Sequence, residues 1–196
     1  MSTNPERPPR GRDLRMSAEH SILVLVDFQE RLMPAIDEGE RVLATAGFLA
    51  TVASELGVPT VGTAQNPGRL GPNLPPVAEH LDVVLDKMAF GACEGGLPDA
   101  LAAVDSDGAP ADVVIAGCEA HVCLLATALG LLETGRRVWV VADASGSRYP
   151  SDKAAAMERL REAGAVVVTA EMVAFEWLDT AANEHFKAVS RLVKER

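Results

Sequence analysis

The sequence predicts a three-layer α/β/α sandwich with a mainly parallel sheet of about six strands. Short apolar runs, partly β-branched, recur along the chain, as in strands buried on both faces. Between them lie segments with helical spacing, several closed by glycine. Such alternation asks for right-handed crossovers, hence parallel strands covered by helices on both sides.

The elements follow in order. Residues 1–18, "MSTNPERPPRGRDLRMSA", are dense in Pro, Arg and polar residues and read as a flexible arm; residues 19–196 read as one domain. "SILVLVDF" is the first strand and ends in a carboxylate; "ERVLATAGFLATVASELG" is a helix stopped at Gly57. "VPTVGTA" is the second strand, and "QNPGRLGPNLPPVAEHL" a Gly- and Pro-rich loop. "DVVLDK" is the third strand, "LPDALAAVD" a short helix and "ADVVIAG" the fourth strand. The helix "HVCLLATALGLLETG", ending at Gly135, leads to the fifth strand, "RRVWVVAD". "SDKAAAMERLREAG" is a helix with a Ser/Asp cap and Gly164 as its stop. "AVVVTA" is the sixth strand, and the helical pieces "EMVAFEWLD" and "NEHFKAVSRLVKE" finish the chain.

With 48% hydrophobic residues in 196, the chain is long and apolar enough to bury a core. A formal net charge of -10 repels phosphate-rich polymers, so no nucleic-acid partner is assigned. Arg7, Arg10, Arg12 and Arg15 are scattered among prolines and read as a solvated tail. No segment offers the ~18 uninterrupted apolar residues that span a bilayer, so no membrane partner is assigned. Residues 1–20 hold no apolar leader core. Three cysteines make no disulfide framework, and the expectation is a cytoplasmic protein with free thiols. Neither G-x-G-x-x-G after the first strand nor G-x-x-x-x-G-K-[ST] occurs, so no cofactor is assigned.

In open parallel sheets ligands gather at the carboxyl ends of the strands. Asp27 ends the first strand, Lys87 the third and Asp143 the fifth, and the segment from Cys118 to Cys123 follows the fourth. Structural zinc asks for four ligands, typically in two spaced pairs; Cys118, His121 and Cys123 have only Cys93 and His80 to complete a set. A redox couple asks for Cys-x-x-Cys, and here four residues separate the thiols. A nucleophile fits better. Cys123 falls in the first turn of a helix, where N–H groups and the positive dipole end favour a thiolate and are placed to hold an oxyanion. A nearby Lys87 lowers the thiol pKa further, and Asp27 accepts its proton and passes it on. The other reading of Cys123 is a small buried hydrophobe, which is the preferred reading of Cys118. Cys93 is a surface thiol or a pocket edge.

The segments "VDFQ", "DKMAFGA", "GCEAHVCLLATALGLL", "VVADASGSR" and "TAEMVAFEWL", in this order, resemble the isochorismatase-like cysteine hydrolases over about residues 21–194. The resemblance implies a Rossmann-type topology, a homo-oligomer and a small-molecule substrate. It makes Asp27 the proton acceptor, Lys87 the charged third member and Cys123 the nucleophile. It also implies a cis peptide between Cys118 and Glu119, aiming the N–H of Glu119, with that of Cys123, at the substrate oxygen. Many members carry Thr where Ala120 precedes His121 here. The nicotinamidase branch binds a metal through Asp-x-His after the second strand; "TAQNPGRLG" has neither residue, so no metal is assigned. Isochorismatase proper lacks the cysteine, so its presence points to acyl or amide chemistry in a metal-free branch.

Gln29, Gln65, Phe90, His121 and Phe175 are candidates for the substrate pocket. Their competing readings are idle loop residues for the glutamines, core packing for the phenylalanines and a hydrogen bond at a subunit edge for His121. Asp143 is expected to bond Ser145 or Arg148 in a structural turn. The function expected is hydrolysis of a small amide or related carbonyl compound through a Cys123 thioester. The alternative is a non-catalytic binding or assembly module that keeps the fold. A flavodoxin-type cofactor protein is a third reading, against which the missing phosphate loop counts.

Overall fold

A computed structural model describes residues 14–105 and 112–196. Six strands form one all-parallel sheet: β1 (Ser21–Val26), β2 (Thr60–Gln65), β3 (Val83–Lys87), β4 (Asp112–Gly117), β5 (Val138–Val141) and β6 (Val166–Val168). Their order is β3-β2-β1-β4-β5-β6, which reverses direction between β1 and β4. That reversal opens a crevice at the carboxyl ends of the two central strands.

The alternation of side chains along a strand sorts the core into two layers. Leu23 and Leu25 of β1 and Val114 and Ala116 of β4 face one side. There they meet α1 (Gly39–Glu55), α7 (Ala170–Leu178) and α8 (Phe186–Glu195) through residues such as Leu49, Val173 and Val189. Ile22, Val24 and Val26 face the other side with Val113 and Ile115. They pack on α4 (Leu97–Val104), α5 (Leu125–Glu133) and α6 (Pro150–Glu162).

The expected loop between the second and third strands contains two single-turn helices, α2 (Pro67–Leu70) and α3 (Pro75–Ala78). Each has proline at its start, where a fixed φ suits a helix and the missing N–H costs nothing. The Ser/Asp cap expected for α6 is not formed. Tyr149 is the N-cap without a side-chain bond, Pro150 opens the helix, and Ser151 and Asp152 lie inside its first turn. The fifth strand stops at Val141 because Asp143 turns away in a 3-10 segment (Ala142–Ala144). The Asp143 carboxylate accepts from Ala170 N–H at 2.8 Å and pairs with Arg196, not with Ser145 or Arg148.

Residues 1–13 of the expected arm lie outside the described residues. Met16, within it, is buried, and its N–H donates to Glu176 at 3.0 Å.

Gly117 is fixed by the close approach of the two central strands. A Cβ there would stand 2.4 Å from the Val26 carbonyl oxygen and 2.5 Å from Val26 Cβ. Neither the strand backbone nor a β-branched neighbour can yield cheaply. Gly117→Ala is expected to cost about 3 kcal/mol. At about 2–4 °C per kcal/mol for a chain of this size, the melting temperature falls by roughly 6–12 °C, measured by circular dichroism.

Candidate active site

Asp27 follows β1 directly and adopts left-handed backbone (φ 55°), which Asp tolerates better than most residues. This turns its carboxylate into the crevice, fully buried. One carboxylate oxygen accepts from Thr63 Oγ1 at 2.6 Å, and the other from Lys87 Nζ at 2.7 Å. Both side chains of the Lys87–Asp27 pair are wholly excluded from solvent. The ammonium has two further acceptors, Gln65 Oε1 at 2.7 Å and the Phe90 carbonyl at 3.1 Å. A buried ion pair persists only when its remaining hydrogen-bond capacity is met, and here it is met on both sides.

Cys123 reaches this pair from the other side of the crevice. The peptide bond between Cys118 and Glu119 is cis, as the resemblance implies. The chain then enters a π turn (Ala120–Leu124) before α5, in place of the regular helix start that the sequence predicts. Val122 and Leu124 N–H both donate to the Glu119 carbonyl, at 3.1 and 3.2 Å. The Cys123 carbonyl accepts from Thr127 Oγ1 at 2.7 Å. Thr127 Oγ1 also accepts from Ala92 N–H at 3.0 Å, which ties the loop after Lys87 to the cysteine's own helix.

The thiol differs from the thiolate expected at a helix start. Burial pushes its pKa up to about 12, and the Asp27 charge adds to this; the Lys87 charge opposes both without cancelling them. Asp27 and Lys87 both act on the thiol, the carboxylate raising its pKa and the ammonium lowering it. The resting group is therefore a protonated thiol beside a carboxylate. Cys118 is buried in the opposite core layer, its thiol also pushed up to about 12 by burial. Cys93 is half-buried and raised by burial and by Glu133; all three cysteines are free.

The other expected residues separate. Gln29 is fully buried rather than an idle loop residue: it donates to the carbonyls of Gln65 at 3.1 Å and Gly71 at 2.7 Å and accepts from Gln65 N–H at 2.9 Å. Gln65 touches Lys87 as above. Phe90 lends its carbonyl to Lys87 while its ring is 61% exposed, so it is no core residue. His121 Nδ1 meets Ser147 Oγ at 3.0 Å and Nε2 lies 3.8 Å from Asp152, a tie between the π turn and the loop before α6. Phe175 is 43% exposed on α7, in the helix layer opposite the one that receives Cys123. Among the described residues, no group of three or more His, Cys, Asp or Glu is arranged to hold a metal. No helix among them is long and apolar enough to cross a membrane.

Sequence reasoning passes over two contributors, and over the side-chain role of a third. Thr63 and Thr127 each put a hydroxyl into an apolar element, and a buried hydroxyl needs a partner. Glu119 pairs through its side chain with Arg148 at 2.8 Å, bracing the cis segment against the following loop; no local pattern announces that contact.

A doubly wound α/β protein whose central strand ends gather a carboxylate, an ammonium and a thiol is the class these observations define. The chain belongs to the isochorismatase family: the Isochorismatase domain model matches residues 21–172. It is 33% identical over 179 residues to isochorismatase domain-containing protein 2 of Danio rerio, covering 91% of this chain and 89% of that one. Among solved structures it is similar to the MAR1 ribonuclease of Caenorhabditis elegans, with TM-score 0.84, 32% identity and 92% of each chain covered. The YcaC gene product of Escherichia coli, described as an octameric hydrolase of unknown specificity, shares the fold with TM-score 0.80 and 22% identity over 97% of this chain and 98% of that one.

The buried pair and the raised thiols each have a measurable consequence. Lys87→Met leaves the buried Asp27 carboxylate uncompensated and is expected to cost about 3–5 kcal/mol in urea unfolding. Lys87→Met combined with Asp27→Leu is expected to recover part of that loss, because no lone charge remains buried. The two thiols raised furthest, Cys118 and Cys123, bind their protons more tightly folded than unfolded. Their contribution to stability is whole below the ordinary thiol value of 9.0 and is lost as pH rises from there toward about 12. The urea midpoint of the wild-type protein is thus expected to fall above pH 9.0, and to fall less in Cys118→Ala, measured from its own neutral-pH midpoint.

Proposed function

We propose that the protein is a cysteine-dependent hydrolase of a small amide, or a related small carbonyl compound, working through a Cys123 thioester. What supports the reading is the protonated thiol beside the buried Asp27–Lys87 pair. A thiol with so high a pKa is a weak nucleophile until a base removes its proton, and the neighbouring carboxylate is such a base.

In this mechanism Asp27 takes the thiol proton as Cys123 Sγ bonds to the substrate carbonyl carbon. The carbonyl π electrons move to oxygen, and the N–H groups of Glu119 and Cys123 hold the oxyanion. Glu119 N–H makes no backbone hydrogen bond among the described residues, which suits that role. The C–N bond then breaks, Asp27 gives its proton to the leaving nitrogen, and a thioester remains. Water attacks the thioester as Asp27 accepts its proton. Collapse expels the Cys123 sulfur, which regains the proton, and releases the carboxylic acid. Lys87 balances the Asp27 charge whenever it reappears.

A homo-oligomer belongs to the same reading, supported by exposed apolar side chains such as Met88 and Met172. The likeness to a protein named a ribonuclease raises RNA as a competing substrate. The formal net charge of -10 counts against it, since a polyphosphate would meet a repelling surface.

The test is a panel of small amides, with ribo-oligonucleotide as a further member. Cys123→Ala is expected to abolish amide turnover with an unchanged melting profile, and intact-protein mass spectrometry of the wild type is expected to show a transient acyl adduct. Turnover retained by Cys123→Ala overturns the mechanism. No turnover and no adduct with any member would favour a binding module that has kept the fold.

A further inference from the structure

The Lys87 ammonium has three N–H bonds and three acceptors, Asp27, Gln65 and the Phe90 carbonyl, and its charge acts on the Cys123 thiol beside it. Two of these, Asp27 and Phe90, are held by strand and loop backbone. Gln65 supplies the side-chain amide of the set. Its orientation is fixed, because its Nε2 donates to the Met88 carbonyl at 2.8 Å and so turns Oε1 toward Lys87. Its backbone is fixed as well: the buried Gln29 accepts from Gln65 N–H at 2.9 Å and donates to Gln65 O at 3.1 Å. Gln65 and Lys87 face each other as the last residues of β2 and β3 in parallel register. These contacts together aim one amide oxygen at one ammonium.

We propose that Gln65 is a positioning residue that sets the reactivity of Cys123 through Lys87, by holding a Lys87 N–H that the sulfur takes up only when it becomes anionic. The inference rests on the reading of Cys123 as nucleophile. In the resting state the sulfur is a neutral thiol and competes poorly for an ammonium N–H; a full amide oxygen at 2.7 Å wins. As Asp27 removes the thiol proton, the sulfur becomes the stronger acceptor, and the N–H can pivot from Gln65 to it without any backbone movement. Gln65 thereby keeps the thiol protonated and unreactive at rest, and yields during attack.

The sign of the effect follows. Removing the amide oxygen while keeping length, as in Gln65→Met, leaves an N–H for the sulfur, stabilises the thiolate and lowers the thiol pKa. Installing a carboxylate, as in Gln65→Glu, draws the ammonium away and adds a negative charge, so the thiol pKa rises. Damaged packing alone would not drive the two variants in opposite directions.

The experiment is iodoacetamide alkylation of the full chain across neutral to alkaline pH, with mass-spectrometric rates for each cysteine, in wild type, Gln65→Met and Gln65→Glu. At any pH below the thiol pKa, lowering that pKa by about one raises the thiolate fraction about tenfold. Gln65→Met is expected to speed Cys123 labelling by about that factor and Gln65→Glu to slow it by a similar one, with Cys93 unchanged as an internal reference. Should Gln65→Met not fold, slowing confined to Cys123 in Gln65→Glu still supports the inference. Profiles that coincide, or changes of the same sign in both variants, overturn it and leave the nucleophile reading standing. A Cys123 inert in all three proteins, while Cys93 labels, overturns both.

Discussion

The ion pair between Asp27 and Lys87 constrains everything around it. Two opposite charges with no solvent exposure are stable only as a neutral, hydrogen-bonded unit, so the fold must deliver partners to both ends. It does so with the last residues of adjacent strands. β1 ends at the carboxylate, β2 supplies Thr63 to it and Gln65 to the ammonium, and β3 ends at the ammonium. Parallel register makes this possible: Val26 stands opposite Thr63, and Gln65 opposite Lys87. A slip of one residue in either pairing would turn these side chains to the other face and strand a charge in the core.

Cys123 is brought to the pair by a different route. β4 lies against β1 along its full length, and only a residue without Cβ can follow Val26 so closely at Gly117. The chain then turns through Cys118 and Glu119 into the π turn, so the thiol approaches at the point where the strand order reverses. The loop carrying Phe90 and Ala92 approaches from β3. Thr127 joins the two: its hydroxyl accepts from Ala92 N–H and donates to the Cys123 carbonyl. Gly130 allows the close approach of Cys93, whose Sγ would stand 2.9 Å from a Cβ there.

Much of this is legible in the residues. Apolar runs of strand length locate all six strands; the inner four are buried on both faces and need no alternation to betray them, while the edge strands β3 and β6 are partly exposed. Their order along the chain brings Asp27, Lys87 and Cys123 to one edge. What the residues do not carry is the local electrostatics. A helix start favours a thiolate, but burial and the Asp27 charge outweigh the Lys87 charge, and neither burial nor distance is written in a motif. The glutamines mislead for a related reason: in sequence they sit in polar turns, whereas in the fold the Gln29 amide closes the backbone gap between β2 and the Gly71 turn. Tyr149 and Pro150 displace the expected Ser/Asp cap because proline needs no capped N–H at that position.

The raised thiol and the saturated ammonium belong to one design. On the proposed reading, a Lys87 N–H without an acceptor would turn to the sulfur and favour its anionic form, the form that alkylation and oxidation attack. Giving that N–H to Gln65, and to the Phe90 carbonyl, keeps the charge of Lys87 committed to Asp27 while the site rests. In the proposed mechanism the Asp27 carboxylate, beside a neutral thiol, removes its proton as the sulfur meets a carbonyl carbon. On that reading reactivity is conditional on substrate: the proton moves as the new bond forms. That conditionality needs every acceptor around Lys87 to be in place before substrate arrives, which is why the partners come from strand ends and a pinned loop rather than from mobile surface side chains.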